Sequence, residues 1–441
     1  MLAVEKVTLN YETTLAGCET LPVFGWTISS ALRNVVQRSW RLQLATSMQF
    51  DELLYDSGDI HDDRSNNIIL PDIECAPSTR YYVRVKITDN HGQASDWSPE
   101  ASFISGLSAA AWQGDFISAE TPQEKDVSKG TLLRHDFSLP QANDIVCAVV
   151  HASALGLYQL WINGEKVGGD ELAPGWTSYH HHLLYQTWDV TERLRRGDNT
   201  IGAMVGAGWY KGDMSFNRYR NYYGEQTGFI CHLVVTLRDG SQQVIASGAD
   251  WQASDSAILF SEIYDGEIYD ARREQRGWCE PGFDARGWRA VSVLAADRAV
   301  LQPQTACPVR EIERLAPWSL FTTPKGETVL DFGQNLSGWV EFKVRGAEGD
   351  NVSLRHFEVL DAEGNVYLAN LRTAKQRIDY TLRGGEEERY HPHFTFQGFR
   401  YVMIERWPGT PKLDDFVAVV LHSAMAPTGS IETSNAELNQ L

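Results

Sequence analysis

The sequence predicts an all-β protein made of three consecutive β-sandwich domains. Short runs in which apolar and polar residues alternate are separated by clusters of Gly, Pro, Asn and Asp, the pattern of half-buried strands joined by turns. No long stretch keeps the 3.6-residue apolar period of an amphipathic helix. Asn163-Gly164 stands between two apolar runs, and both central residues of a two-residue type I′ hairpin turn need positive φ, which Asn and Gly tolerate best. A length of 441 residues suits about three such domains.

Residues 1–106 read as a fibronectin type III or immunoglobulin-like domain. Strand patterns run through Ser39-Trp40-Arg41-Leu42-Gln43-Leu44 and Pro77-Ser78-Thr79-Arg80-Tyr81-Tyr82-Val83-Arg84-Val85, and Asp89 to Ser98 has the form of a closing hairpin. Trp26 and Tyr82 are the expected core aromatics, and the domain is expected to act as a spacer or docking module. Residues 107–312, starting near Trp112, read as a jelly-roll. They alternate from Val146 to Tyr185 and from Phe229 to Leu237, with turn residues between. Residues 313–426 read as a lectin-like or concanavalin-like sandwich, with strands at Thr328–Phe332, Gly338–Val344, Val352–His356 and Phe394–Val402. Residues 427–441 change character: Ser434 or Asn435 can cap a helix, and good helix formers follow.

Composition narrows the function. Hydrophobic residues make up 43% and aromatics 11%, with 14 Trp and 17 Tyr, which suits a protein that handles carbohydrate on flat side chains. A formal net charge of −19 argues against a nucleic-acid partner, whose phosphates require clustered Lys and Arg. No apolar run is long enough to span a membrane, and Met1 to Lys6 lacks the basic start of a secretory signal. The cysteines at 18, 75, 147, 231, 279 and 307 are scattered, so free thiols in the cytoplasm are expected.

Two constellations suggest chemistry. Gly206-Ala207-Gly208-Trp209-Tyr210-Lys211-Gly212 sets two aromatics among glycines, as a sugar-stacking surface or as packed core aromatics beside a turn. Glu262, Asp265, Glu267 and Asp270 interleave with Tyr264 and Tyr269. They could form a polar sugar-binding or calcium-binding loop, an acid–base pair, or an inter-strand loop in which Asp270 pairs with Arg272 or Arg273. The candidate carbohydrate-binding residues are therefore Trp209, Tyr210, Glu267, Tyr269, Asp270 and Arg272. No EF-hand run specifies calcium, no cofactor is expected, and no residue is assigned a catalytic or metal-ligating role. His180-His181-His182 would place at most two imidazoles on one face of a strand, and His391-Pro392-His393 has no nearby Cys or second His pair. Nucleophile elbow, Walker loop and dinucleotide fingerprint are all absent.

Several segments, in order, resemble bacterial α-L-rhamnosidases of glycoside hydrolase family 78. The carriers are Trp161-Ile162-Asn163-Gly164, Pro174-Gly175-Trp176-Thr177, Tyr185 to Val190, the 206–212 run, Gly266 to Arg272, Asp331 to Trp339, His356 to Leu360, Asn370 to Ala374, and Phe394 to Val402. The resemblance implies β-sandwich domains that precede a helical (α/α)6 barrel, and inverting hydrolysis of terminal α-L-rhamnose from glycosides. It also implies that the catalytic carboxylates lie in a barrel segment of the form Asp-x-x-x-Arg-x-Glu-Arg-x-Gly-Trp, which this sequence lacks; only residues 427–441 are similar to a barrel entrance. The chain is thus expected to be the non-catalytic front portion of such an enzyme, with rhamnosides and the barrel as partners and a tendency to self-associate. A stand-alone rhamnoside-binding protein is the alternative.

Overall fold

A computed structural model describes residues 2–440 except 72, 141–144 and 215. It is nearly all β, and helices are confined to short turns and to Ala436–Gln440.

In the first unit, Ala3–Leu9 pairs with Phe24–Ser29, and a five-stranded sheet runs in the order Thr14–Cys18, Ala101–Ser105, Arg80–Asp89, Gln37–Ala45, Leu53–Asp56. Both sheets bury one core in which Trp26 meets Trp40 edge-on at 5.6 Å, with the Trp26 Nε1 donating to Gln37. Arg80–Asp89 alternates strictly between half-buried and buried positions, but the inward tyrosine is Tyr81, and Tyr82 lies on the outer face. Side chains alternate every residue, so a one-residue error in phase exchanges core for surface.

The second unit packs a seven-stranded against a six-stranded sheet around Leu133, Val150, Tyr158, Leu160, Ile201, Phe229 and Trp251. The expected hairpin is present: Asn163 and Gly164 have φ of 51° and 86° between the paired residues Ile162 and Glu165.

In the third unit a ten-stranded sheet folds over its own core. Its longest strand, Thr328–Val344, pairs with Gln397–Arg406 near its start and with Phe416–Ser423 near its end. Residues 258–270, inside the stretch expected to form the second unit, join this sheet instead. Ile258–Glu262 and Gly266–Asp270 form a hairpin whose second strand runs parallel to Arg377–Thr381. Gly266 permits this approach, because a Cβ there would lie 1.8 Å from the Arg377 carbonyl oxygen, and its φ is +104°. The chain then returns to the second unit through Arg289–Ala290, Ser292–Leu294 and Leu301–Pro303. At the end, the Asn435 side chain caps Ala436–Gln440 by accepting from the Glu437 and Leu438 N–H groups.

Candidate carbohydrate-binding face and acid–arginine cluster

The glycine-flanked aromatics sit on a single helical turn, Gly208–Lys211, and their faces are covered. Trp209 lies parallel to Trp176 (6.1 Å between centroids, 8° between planes), while Tyr210 packs on Tyr179 and Tyr223. Gly208 is required here, since its φ is +51° and a Cβ would meet the Leu157 side chain at 2.5 Å. Lys211 is fully buried and anchors the turn to Glu120 at 2.8 Å. The solvent-facing platform is therefore Trp176, which is 53% exposed and which the motif Pro174-Gly175-Trp176-Thr177 delivers beside Trp209. Its Nε1 donates to the Tyr223 hydroxyl at 3.3 Å, and exposed His180 donates from Nε2 to the Tyr223 carbonyl at 2.9 Å. A flat ring edged by polar groups suits the C–H face and hydroxyls of a pyranose.

The acidic run divides into separate tasks. Glu267 is fully buried and accepts from the Tyr390 hydroxyl, the Ser261 hydroxyl, the His393 Nδ1 and the His393 and Phe394 backbone N–H groups. Burial would raise its pKa, but the His393 imidazole and these donors outweigh it and hold the carboxyl below its usual range. Tyr269 is buried between the rings of Tyr380 and His393, and its hydroxyl donates to Glu274. Asp270 accepts two guanidinium N–H bonds from Arg272, at 2.8 and 2.9 Å, and these hold its pKa down. That is the inter-strand loop alternative. Glu267, Tyr269 and Asp270 are buried, so their side chains offer solvent little surface, whereas Arg272 is exposed.

Glu262 and Asp265 meet a residue the sequence did not single out. Their carboxylates and that of Asp213 lie within 4.8 Å of one another, all buried. Three cations already match the three acids. Arg218 binds Asp265 through both nitrogens, at 2.8 and 2.7 Å, and Asp213 at 2.5 Å. Arg220 binds Glu262 and Ser128, and Lys375 binds Asp265 at 2.9 Å. Burial pushes the Asp265 pKa up, and the Arg218 and Lys375 bonds more than reverse it. A calcium ion would have to displace these cations, so the donors present form an ion-pair clasp rather than a calcium cage. Nothing local announces the clasp, because its partners come from residues 128, 213, 218, 220, 262, 265 and 375. The histidine triplet lies in a turn, not a strand, and among the described residues no histidine joins a three-ligand group. His391 stacks on Trp339 at 5.1 Å, and His393 serves Glu267.

Comparison with known proteins places these elements. Residues 4–109 match the Rha78A-like, N-terminal immunoglobulin domain, residues 143–313 the alpha-L-rhamnosidase N-terminal domain, and residues 321–422 the bacterial alpha-L-rhamnosidase concanavalin-like domain. By these domains the chain belongs to the α-L-rhamnosidase family. An alpha-L-rhamnosidase of Streptomyces avermitilis is 41% identical over 365 residues, which is 81% of this chain and 34% of that protein. One from Formosa agariphila is 30% identical over 98% of this chain and 48% of its own length. The chain thus spans between a third and a half of these rhamnosidases. Among solved structures, the Aspergillus terreus rhamnosidase superposes on all of this chain and 51% of its own with a TM-score of 0.92 at 33% identity. The Streptomyces avermitilis enzyme complexed with L-rhamnose covers all of this chain and 59% of its own, with a TM-score of 0.94 at 27% identity.

Proposed function

We propose that this chain is the non-catalytic β-sandwich portion of an α-L-rhamnosidase, whose whole form removes terminal non-reducing α-L-rhamnose from glycosides with inversion. The observation that carries the reading is the unbroken series of three rhamnosidase domains, together with superposition on two rhamnosidases over the full chain. Inverting hydrolysis needs two carboxyl groups roughly 6.5–9.5 Å apart across the sugar. The acids here are instead spent on arginine, lysine and buried hydroxyls. Assayed with an aryl α-L-rhamnoside, the chain alone is expected to match the buffer blank. The protein from the complete reading frame that contains it should release L-rhamnose of inverted configuration, seen by NMR. Turnover by the purified chain that disappears in Glu267→Gln would overturn the assignment.

The exposed face of Trp176 favours a second, compatible reading in which this portion also holds rhamnosyl ligands, stacked on Trp176, with Trp209 and Tyr210 supporting that ring from behind. Titration with L-rhamnose should shift amides near these residues, and shifts confined to residues 1–106 or 315–425 would sink the idea. A cytoplasmic setting belongs to the same proposal and is supported by six cysteines free of disulfides. So does self-association through the tail, where Met425, Ile431 and Leu438 stand exposed. Light scattering over a concentration series tests it, and a constant monomer mass would remove it.

A further inference from the structure

Above the clasp lies a second exposed aromatic surface. The tongue of residues 216–224 presents Phe216 and Tyr219 to solvent, each more than half exposed, and the hairpin turn of the third sheet adds Tyr264. The loop that follows Ala369–Leu371 meets the tongue here. Arg218 donates to the Thr373 carbonyl, and the backbone N–H of Lys375 to that of Tyr264. Arg372 lays its guanidinium over the Phe216 ring, 4.4 Å from the centroid.

The charges single out Arg372. Asp213, Glu262 and Asp265 are matched one for one by Arg218, Arg220 and Lys375. Arg372 forms no ion pair with any described residue and is the surplus cation of the group. Its guanidinium lies over Phe216 and makes no hydrogen bond with a described side chain, and its N–H groups form the fork that fits a carboxylate with two parallel bonds. Its backbone is also unusual. At φ 56° and ψ −109° it occupies ground normally left to glycine, and the strain of holding an arginine there persists in the fold.

We infer that the tongue and the 369–375 loop form a binding site for an acidic sugar, with Phe216, Tyr219 and Tyr264 as stacking surfaces and Arg372 as the group that binds a uronate carboxylate. The inference rests on the proposed role in handling rhamnosides and deepens it, from neutral rhamnosides to rhamnosides that carry a uronic acid. In a chain of net charge −19, a polyanionic glycan is repelled nearly everywhere, so an unpaired arginine beside exposed aromatic faces marks where one can land.

The test is calorimetric titration of the full chain with a rhamnosyl-glucuronate disaccharide, the neutral rhamnosyl-glucose analogue and a sulfated glucose. The uronate is expected to bind about tenfold tighter than the neutral sugar, with the advantage shrinking as salt rises. Arg372→Gly should abolish that advantage while leaving the melting temperature equal or higher, because glycine adopts the same backbone without strain. A merely structural Arg372 would move stability and not the ligand preference. Phe216→Ala should weaken the uronate and neutral disaccharides alike at this site. Equal binding of the two disaccharides, or an advantage that survives Arg372→Gly, would overturn the inference. A sulfated sugar that binds as well as the uronate would overturn the uronate assignment. Neutral-sugar binding at Trp176 that persists in Arg372→Gly shows that the earlier reading stands even where this one fails.

Discussion

Between the second and third units the chain shares an apolar core, whereas between the first and second it relies on a few polar contacts beside an open cleft. Leu132, Leu157, Leu172 and Met204 of the jelly-roll belong to the same buried cluster as Phe332, Phe342, Tyr380 and Phe399 of the third sheet. Each such side chain contributes roughly 1.5–3 kcal/mol on burial. The ion-pair clasp crosses the same boundary, and the 258–270 hairpin, which leaves the second unit to join the third sheet, is held there by the Glu267 network. At the other junction, Ser78 bonds His151 at 2.9 Å, and within the second unit Thr187 holds that imidazole at 2.8 Å, while Leu107, where the chain enters this unit, is fixed by the Tyr185 hydroxyl, which accepts from its N–H and donates to its carbonyl. Arg80 pairs with Asp189 between clefts of about 990 and 450 Å³. The candidate ligand surfaces lie beside the apolar junction, where a rigid backing keeps aromatic faces in place at little entropic cost on binding.

The largest effect is expected from breaking the apolar junction at its polar centre. Glu267→Ala leaves the buried Tyr390 and the half-buried His393 without their acceptor and should cost about 3–5 kcal/mol, the range for removing one partner of a buried charged network. In chemical denaturation the second and third units should lose stability together, while the first unit, followed through Trp26 and Trp40, keeps its own midpoint. Loss confined to the third unit would show that the two do not unfold as one body.

Acid should loosen the polar junction through His151. Burial, reinforced by nearby His232, lowers the pKa of His151 to about 3, below the ~6.5 of an unfolded histidine. The unfolded chain therefore takes up the proton first: stability is full above ~6.5 and falls as pH drops from there toward the folded value. At pH 5 the loss reaches about 2 kcal/mol. His232 and His356, with pKa values lowered to about 4 by burial, carry the same kind of penalty, so the decisive quantity is the difference between wild type and His151→Gln. Denaturation at pH 7 and pH 5 should show the smaller acid loss in the variant. An equal loss in both would clear His151 of the effect.

The smallest change is expected at Arg80→Ala. The pair with Asp189 is partly exposed on both sides, and such pairs contribute about 0.2–1 kcal/mol. Global stability should barely move, but small-angle scattering should report a wider spread of orientations for the first unit. An unchanged scattering profile would mean that the His151 and Tyr185 contacts alone hold the angle.

What was legible in the sequence is what short segments decide for themselves. The Asn163-Gly164 turn follows from the φ angles its two residues tolerate, the Asn435 cap from a side chain that reaches two residues ahead, and the Arg80–Asp89 strand from its period of two. Phase was not legible there, because Tyr81 and Tyr82 are equally suited to a strand and only the opposing sheet says which faces in. The hairpin of residues 258–270 reads as part of the second unit, since nothing within it states that its partner is Arg377–Thr381, over a hundred residues later. The candidate site divides the same way. Its aromatic motifs could be found by eye, but whether each ring is core or surface depended on what packed against it, and Trp176 rather than Tyr210 came to face solvent. The acids were visible as a run and the arginines were not, because an ion pair between residues 47 or 110 positions apart leaves no periodicity to read. Local conformational preference is written in neighbouring residues; pairing, burial and charge balance are settled only when distant segments meet.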